Sequence, residues 1–298
     1  MHLQQAERKR AKLRLNIASP SGFGKTYGSL LIAHGITDNW QTIAVIDTEN
    51  DSASLYSHLG PYKTMTLTPP YSPDRYIEAI KVCENAGMDV IIIDSITQIW
   101  KGQGGLLEYQ NSLGGRYQDW AKATPLYQRW LNTILQSKCH IITTNRKKQG
   151  YNMITEGNKT KVEKAGLDDE IRDGYEYEMT VAFEIINDKH LAKTSKDRTQ
   201  LFDGKPEFII SEQTGKQLIN WCNQPPETKP ISDKEILFRI NACTSVEQLV
   251  LLYKQYPDLQ QSMLTNFTKK RQMLTVANDL KSIINPQNLS SNGTLTSQ

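Results

Sequence analysis

Between Leu13 and Asn145, short apolar runs of strand length alternate with stretches whose apolar residues recur at helical spacing. The strand-like runs are LRLNIAS, TIAVID, TMTLT, DVIIID and HIITTN. The helical stretches are Lys25 to Ala33, Arg75 to Asn85 and roughly Asp119 to Ser137. Strands that alternate with helices imply βαβ units and a mostly parallel central sheet, an α/β fold. Val90, Ile91, Ile92 and Ile93 are apolar at successive positions, so that strand expects cover on both faces.

Two polar segments interrupt the alternation. One runs from Lys101 to Arg116 with glycines at 102, 104, 105, 114 and 115; the other runs from Arg146 to Gly174. Loops this long inside a compact domain point to function or disorder. Beyond them EMTVAFEII and HLAKTS read as a hairpin across Asn187 and Asp188, EFII as a further strand, and Glu212 to Trp221 as a closing helix. Gln224 to Pro230 reads as a linker. From Ser232 to Asp279 the helical spacing returns, with Ser232 and Glu235 in a capping-box arrangement. The final PQNLSSNGTLTSQ carries too little apolar surface to pack. The expected organisation is a basic segment at 1–12, an α/β domain at 13–223, a linker at 224–231, a small helical region at 232–282 and a disordered tail at 283–298, with no internal repeat.

Composition narrows the function classes. Thirty-five Lys and Arg stand against 32 Asp and Glu in 298 residues, a net charge of +3 that excludes a globally basic nucleic-acid binder but leaves room for a local basic patch. Cys83, Cys139, Cys222 and Cys243 form no CxxC pair, so neither a zinc site nor a disulfide framework is expected. No apolar run reaches the roughly 18 residues of a membrane span, and MHLQQAERKRAKLRL is charged where a signal peptide is apolar. These features imply a cytoplasmic protein with reduced thiols and no membrane partner.

The candidate chemistry begins after the first strand, in SPSGFGKT, Ser19 to Thr26. A strand, a Gly-rich turn and a helix opening with Lys and Thr make a phosphate cradle from Ser21, Gly22, Phe23, Gly24, Lys25, Thr26 and Tyr27. Lys25 then reaches the β and γ phosphates of ATP, and the Thr26 hydroxyl ligates Mg2+. The first glycine of the usual motif is Ser19 here. Asp94, at the end of a wholly apolar strand, supplies a carboxylate for the same ion. Glu49, in VIDTEN after the second strand, faces the same sheet edge and is a candidate to polarise the attacking water.

The ordered series SPSGFGKT, VIDTEN, VIIIDSIT and IITTN resembles the ATPase core of RecA and RadA-type recombinases, and of their small phage relatives that promote single-strand annealing and recombination. The resemblance covers Leu13 to Cys222 and not the helical region. It implies a RecA-like P-loop fold, with Glu49 activating water and a γ-phosphate sensor at Asn145 or Arg146; the usual Asn-Gln pair there is absent. It also implies that the two polar segments bind single-stranded DNA. Arg146, Lys147, Lys148, Lys159, Lys161 and Lys164, interleaved with Tyr151, offer charge for phosphates and a ring for a base, and Lys101, Arg116 and Tyr117 add to them. Lys193, Lys196 and Arg198 resemble the basic fingers with which such proteins reach a neighbouring subunit's ATP, which implies a homo-oligomeric ring or filament. A single-strand DNA-binding protein is a further implied partner, and a phage-encoded chain would work in the host cytoplasm. The competing functions are a replicative helicase or helicase loader, and a nucleotide-gated assembly protein that binds no DNA.

Overall fold

The computed structural model describes residues 11–156, 159–224, 232–257 and 260–284; the side chains of 151–156, 159–165 and 279–284 lie outside that description. The expected first ten residues of the basic segment, the linker beyond Gln224 and the tail from 285 lie outside the described residues. The chain divides into two units, Met1–Pro226 and Glu227–Gln298.

In the first unit the strands are β1 (Arg14–Ser19), β2 (Ile43–Asp47), β3 (Lys63–Thr66), β4 (Val90–Asp94), β5 (His140–Glu156), β6 (Lys159–Asp169), β7 (Val181–Ile185), β8 (Leu191–Asp197) and β9 (Phe208–Ile209). The helices are α1 (Lys25–Thr37), α2 (Pro73–Asn85), α3 (Thr97–Lys101), α4 (Leu106–Ser112), α5 (Trp120–Gln136) and α6 (Glu212–Asn223). The sheet order is β3-β2-β4-β5-β1-β7-β8-β9, with β6 paired to β5 alone. From β3 to β7 all neighbours are parallel; β8 and β9 add antiparallel pairs.

Period-two alternation sorts the strand residues between two cores. Leu15, Ile17, Val45, Ile92, Ile142 and Phe183 pack with Leu30 and Ile32 of α1, while Ile46, Ile91, Ile93 and Ile141 pack with Tyr76, Ile80, Trp130 and Ile134 of α2 and α5. All four apolar residues of the VIII run are 0% exposed, because helices cover both faces. The parallel strands deliver the ends of β1, β2, β4 and β5 to one sheet edge, where ligands of such sheets sit.

Both long polar segments carry more regular structure than their sequence announces. Residues 106–112 form α4, with Leu106 and Gln110 buried on one side. The expected loop after Arg146 is an antiparallel hairpin in which β5 continues past the sheet and pairs with β6. Its sequence mixes charged, polar and apolar residues without strict period-two alternation, so it does not read as a strand, while ladder bonds satisfy its backbone.

The second unit holds α7 (Asp233–Ala242), α8 (Val246–Gln255) and α9 (Leu264–Ile284). Ile236, Ile240, Leu249, Met263 and Phe267 form its core. Ser232 and Ser245 cap α7 and α8, accepting from the Glu235 and Gln248 amides at 3.2 and 3.3 Å. No helix among the described residues is long and apolar enough to cross a membrane.

Candidate phosphate and magnesium site

Between β1 and α1 the backbone turns through Gly22 at φ 84° and Gly24 at φ 94°, a left-handed region that glycine enters without steric cost. A Cβ on Gly22 would meet no atom, so glycine is needed there for the dihedral alone. Gly24 caps α1, whose first turn carries no acidic residue, so the positive helix end faces the loop uncompensated. Ser21 is exposed, Phe23 packs against the α1-side core, and the half-exposed Tyr27 ring lies 5.7 Å from that of Tyr56.

Lys25 is buried, and its Nζ donates to the Ser19 carbonyl at 3.1 Å, the Ser19 hydroxyl at 3.3 Å and the Pro20 carbonyl at 3.0 Å. All three acceptors are neutral. Burial lowers the ammonium to about 8, a shift that nearby Asp94 opposes and Arg146 reinforces. A desolvated cation held only by neutral oxygens is poised to exchange them for a phosphate anion, so the loop fits the triphosphate its motif implies.

Asp94 is 1% exposed, and each of its oxygens accepts one hydroxyl: Oδ2 from Thr26 and Oδ1 from Thr144, both at 2.5 Å. Burial pushes its carboxyl upward and the two threonine bonds pull it back. Thr26 and Asp94 thus meet as the sequence implies, and they would hold Mg2+. Among the described residues no cluster of three or more His, Cys, Asp or Glu offers a metal site without such help from a ligand. That suits an ion completed by phosphates and water.

The turn after β2 aims Glu49. Asp47 accepts from the Glu49 amide at 2.6 Å and the Ala53 amide at 2.7 Å, and burial raises its carboxyl. Glu49 Oε1 accepts from Ser95 Oγ at 2.7 Å, and Oε2 is paired with the Arg146 guanidinium. Thr48 and Ser95 lock the β2 and β4 ends together, the Ser95 amide donating to Thr48 Oγ1 at 2.9 Å and Thr48 Oγ1 to the Ser95 carbonyl at 3.0 Å.

Of the two sensor candidates, Arg146 reaches Glu49 and Asn145 turns the other way. Asn145 is fully buried, accepting from Asn16 Nδ2 and donating to Asp169 Oδ1, both at 2.7 Å. It lines a cavity of about 1350 Å³ walled also by Trp100, Trp120 and Arg172, away from the phosphate loop. Thr144, one residue earlier and on the opposite strand face, takes the place at Asp94. Sequence reading overlooked Thr144, Ser95 and Thr48; the parity that groups Thr144 with the core residue Ile142 was the available signal.

The other candidates lie apart. Lys147 is paired with Glu184 at 3.3 Å and Asp169 at 3.8 Å, and Lys148 is exposed. Arg116 pairs locally with Asp119 at 3.5 Å and has its own amide capped by the same carboxylate at 2.9 Å. Tyr151, Lys159, Lys161 and Lys164 fall on the hairpin, where only the backbone is described. On β8, Lys193 sits opposite Glu184, which is level with Ala18 at the phosphate-loop edge, whereas Lys196 sits opposite Ala182, level with Asn16. Successive residues of β8 therefore run away from the chain's own phosphate loop. Lys196 lies 5.9 Å over the Tyr177 ring with its ammonium lowered by burial and by Arg198, and Arg198 donates to the Tyr177 carbonyl at 2.8 Å.

A family model described as an AAA domain matches residues 11–216, from the start of β1 to α6 and more than half of the chain. No curated protein matches. The matched span holds the loop, Asp94 and Glu49 together, and the chain belongs to the AAA-domain family of P-loop ATPases.

Proposed function

We propose that the chain hydrolyses ATP with Mg2+ and acts on single-stranded DNA in recombination or strand annealing, assembled as a homo-oligomeric ring or filament. The observation that carries this reading is the path of β5. The same strand gives Thr144 to Asp94, gives Arg146 to Glu49, and then leaves the sheet as the basic hairpin. A strand bound on that hairpin would bear directly on the residues that surround the phosphates. Lys148, Lys159, Lys161 and Lys164 supply charge along it, with Tyr151 for stacking.

Oligomerisation is supported by the β8 register. Lys196 and Arg198 lie beside the start of β7, away from their own loop, so a role at the γ phosphate requires a neighbour's loop. A single-strand DNA-binding protein as partner rests on the recombinase resemblance alone.

The deciding measurement is the ATPase rate with and without single-stranded DNA, alongside binding at increasing salt. Stimulation by DNA together with salt-sensitive binding supports the reading. Turnover unaffected by DNA, with no binding at low salt in the presence of ATP and Mg2+, would leave a nucleotide-gated assembly protein.

A further inference from the structure

The turn joining β7 to β8 touches the phosphate loop. His190, at its tip, places Nδ1 2.9 Å from the Phe23 carbonyl oxygen. A carbonyl only accepts, so Nδ1 carries the proton. The turn is built to present that ring. Asn187 Oδ1 accepts from the Lys189 and Leu191 amides, both at 3.1 Å, and the His190 amide donates to the Asn187 carbonyl at 3.1 Å. His190 itself sits at φ 60°, a left-handed conformation uncommon for a residue with a side chain. From the other side, a Cβ on Gly24 would lie 3.2 Å from His190 Nδ1, so the loop packs closely against the imidazole.

We propose that His190 is a positioning residue of the phosphate loop, fixing the Phe23–Gly24 peptide so that the Gly24 amide is presented to a nucleotide phosphate. The reason is geometric. In a trans peptide the carbonyl and the following N–H point in opposite directions. Anchoring the Phe23 carbonyl to the hairpin therefore turns the Gly24 N–H away from it. Glycines at 22 and 24 leave this stretch conformationally free, and freedom given up on binding weakens affinity. One hydrogen bond from outside the loop restricts the plane before any phosphate arrives. The bond also joins the loop to the strand that bears Lys193 and Lys196, two residues of one β8 ribbon.

This inference rests on the reading of Ser19 to Thr26 as a nucleotide site, and the test separates the two. His190→Gly removes the imidazole while keeping a residue at ease at φ 60°; His190→Asn tolerates that dihedral and carries an amide donor the same number of bonds from Cα. Equilibrium binding of a fluorescent ATP analogue with Mg2+, without turnover, is read beside KM and kcat. For His190→Gly the dissociation constant and KM should rise about 3- to 10-fold, the scale of one hydrogen bond, with kcat at saturation within about twofold. His190→Asn should recover most of the affinity. Wild-type affinity in a folded His190→Gly protein, or a loss that His190→Asn does not repair at all, overturns the proposal. Wild-type protein that binds no nucleotide overturns the underlying site reading, and this inference with it.

Discussion

Arg146 and Glu49 stand 97 positions apart in the chain, yet their side chains form an ion pair at the end of the sheet, with Ser95 holding the second oxygen of the same carboxylate. The residue proposed to activate water is thus tied to the root of the β5–β6 hairpin.

Two substitutions separate the halves of that pair. Glu49→Gln should retain nucleotide binding and lower turnover by about 10² or more, the scale of removing a positioned base. Arg146→Ala frees Oε2, so DNA-independent hydrolysis should rise and the ratio of DNA-stimulated to basal rate should fall. Steady-state ATPase assays read both, and an unchanged ratio for Arg146→Ala would break the proposed link between hairpin and base.

Nucleotide affinity should depend on pH through Lys25. Its ammonium lies near 8 in the nucleotide-free protein, against 10.5 for an ordinary lysine. A bound phosphate favours the charged form and raises that value again, so binding takes up a proton above pH 8. Affinity is full below about 8 and falls as pH rises, by at most about tenfold per unit. The unfolded chain holds this proton up to the ordinary value, so the free protein gains stability between about 8 and 10.5. Calorimetric titration in buffers of differing ionisation enthalpy counts the proton. Lys25→Ala should abolish binding.

Thr144→Val keeps the shape and removes the hydroxyl from Asp94 Oδ1. One oxygen of a buried carboxylate is then unmatched, at about 1–3 kcal/mol of stability. Affinity for Mg-nucleotide should fall more than affinity for nucleotide with a chelator, because Asp94 is proposed to meet the metal. Equal losses in both would detach Asp94 from the metal.

The hairpin should supply much of the affinity for single strands. Replacing Lys148, Lys159 and Lys161 with Ala should flatten the salt dependence of strand binding by roughly 0.7 in log–log slope for each phosphate no longer neutralised. Lys147→Ala should leave that slope unchanged and lower stability, since Lys147 already pairs with Glu184 and Asp169. Tyr151→Ala should cost about 1–3 kcal/mol of affinity at unchanged slope, because stacking releases no counterion.

Helices α1 and α6 cross at two glycines. A Cβ on Gly35 would lie 2.0 Å from the Glu212 carbonyl oxygen, and one on Gly215 2.2 Å from that of Ile32. Backbone must move in either case, so Gly35→Ala and Gly215→Ala should each destabilise by at least the about 1–3 kcal/mol usual for overpacking. Urea midpoints measure this directly.

The sequence by itself determined what short stretches of chain encode. Alternation and helical spacing named the core strands and α1, α2 and α5, because period two and period 3.6 are properties of neighbouring residues. The phosphate loop was legible for the same reason: its cradle is contiguous backbone, and Gly22, Gly24, Lys25 and Thr26 act on one turn. Asp94 followed from its place at the end of a fully apolar strand. Tertiary structure decided what depends on which strands become neighbours. Placing β5 beside β4 brought Thr144 to Asp94 across 50 positions, and the one-residue step in parity sent Asn145 to Asn16 and Asp169 instead. The β5–β6 hairpin had no strict alternation to announce it, and the hydrogen bond between His190 and Phe23 spans 167 positions. Such pairings are set by sheet order and register, which local spacing does not carry.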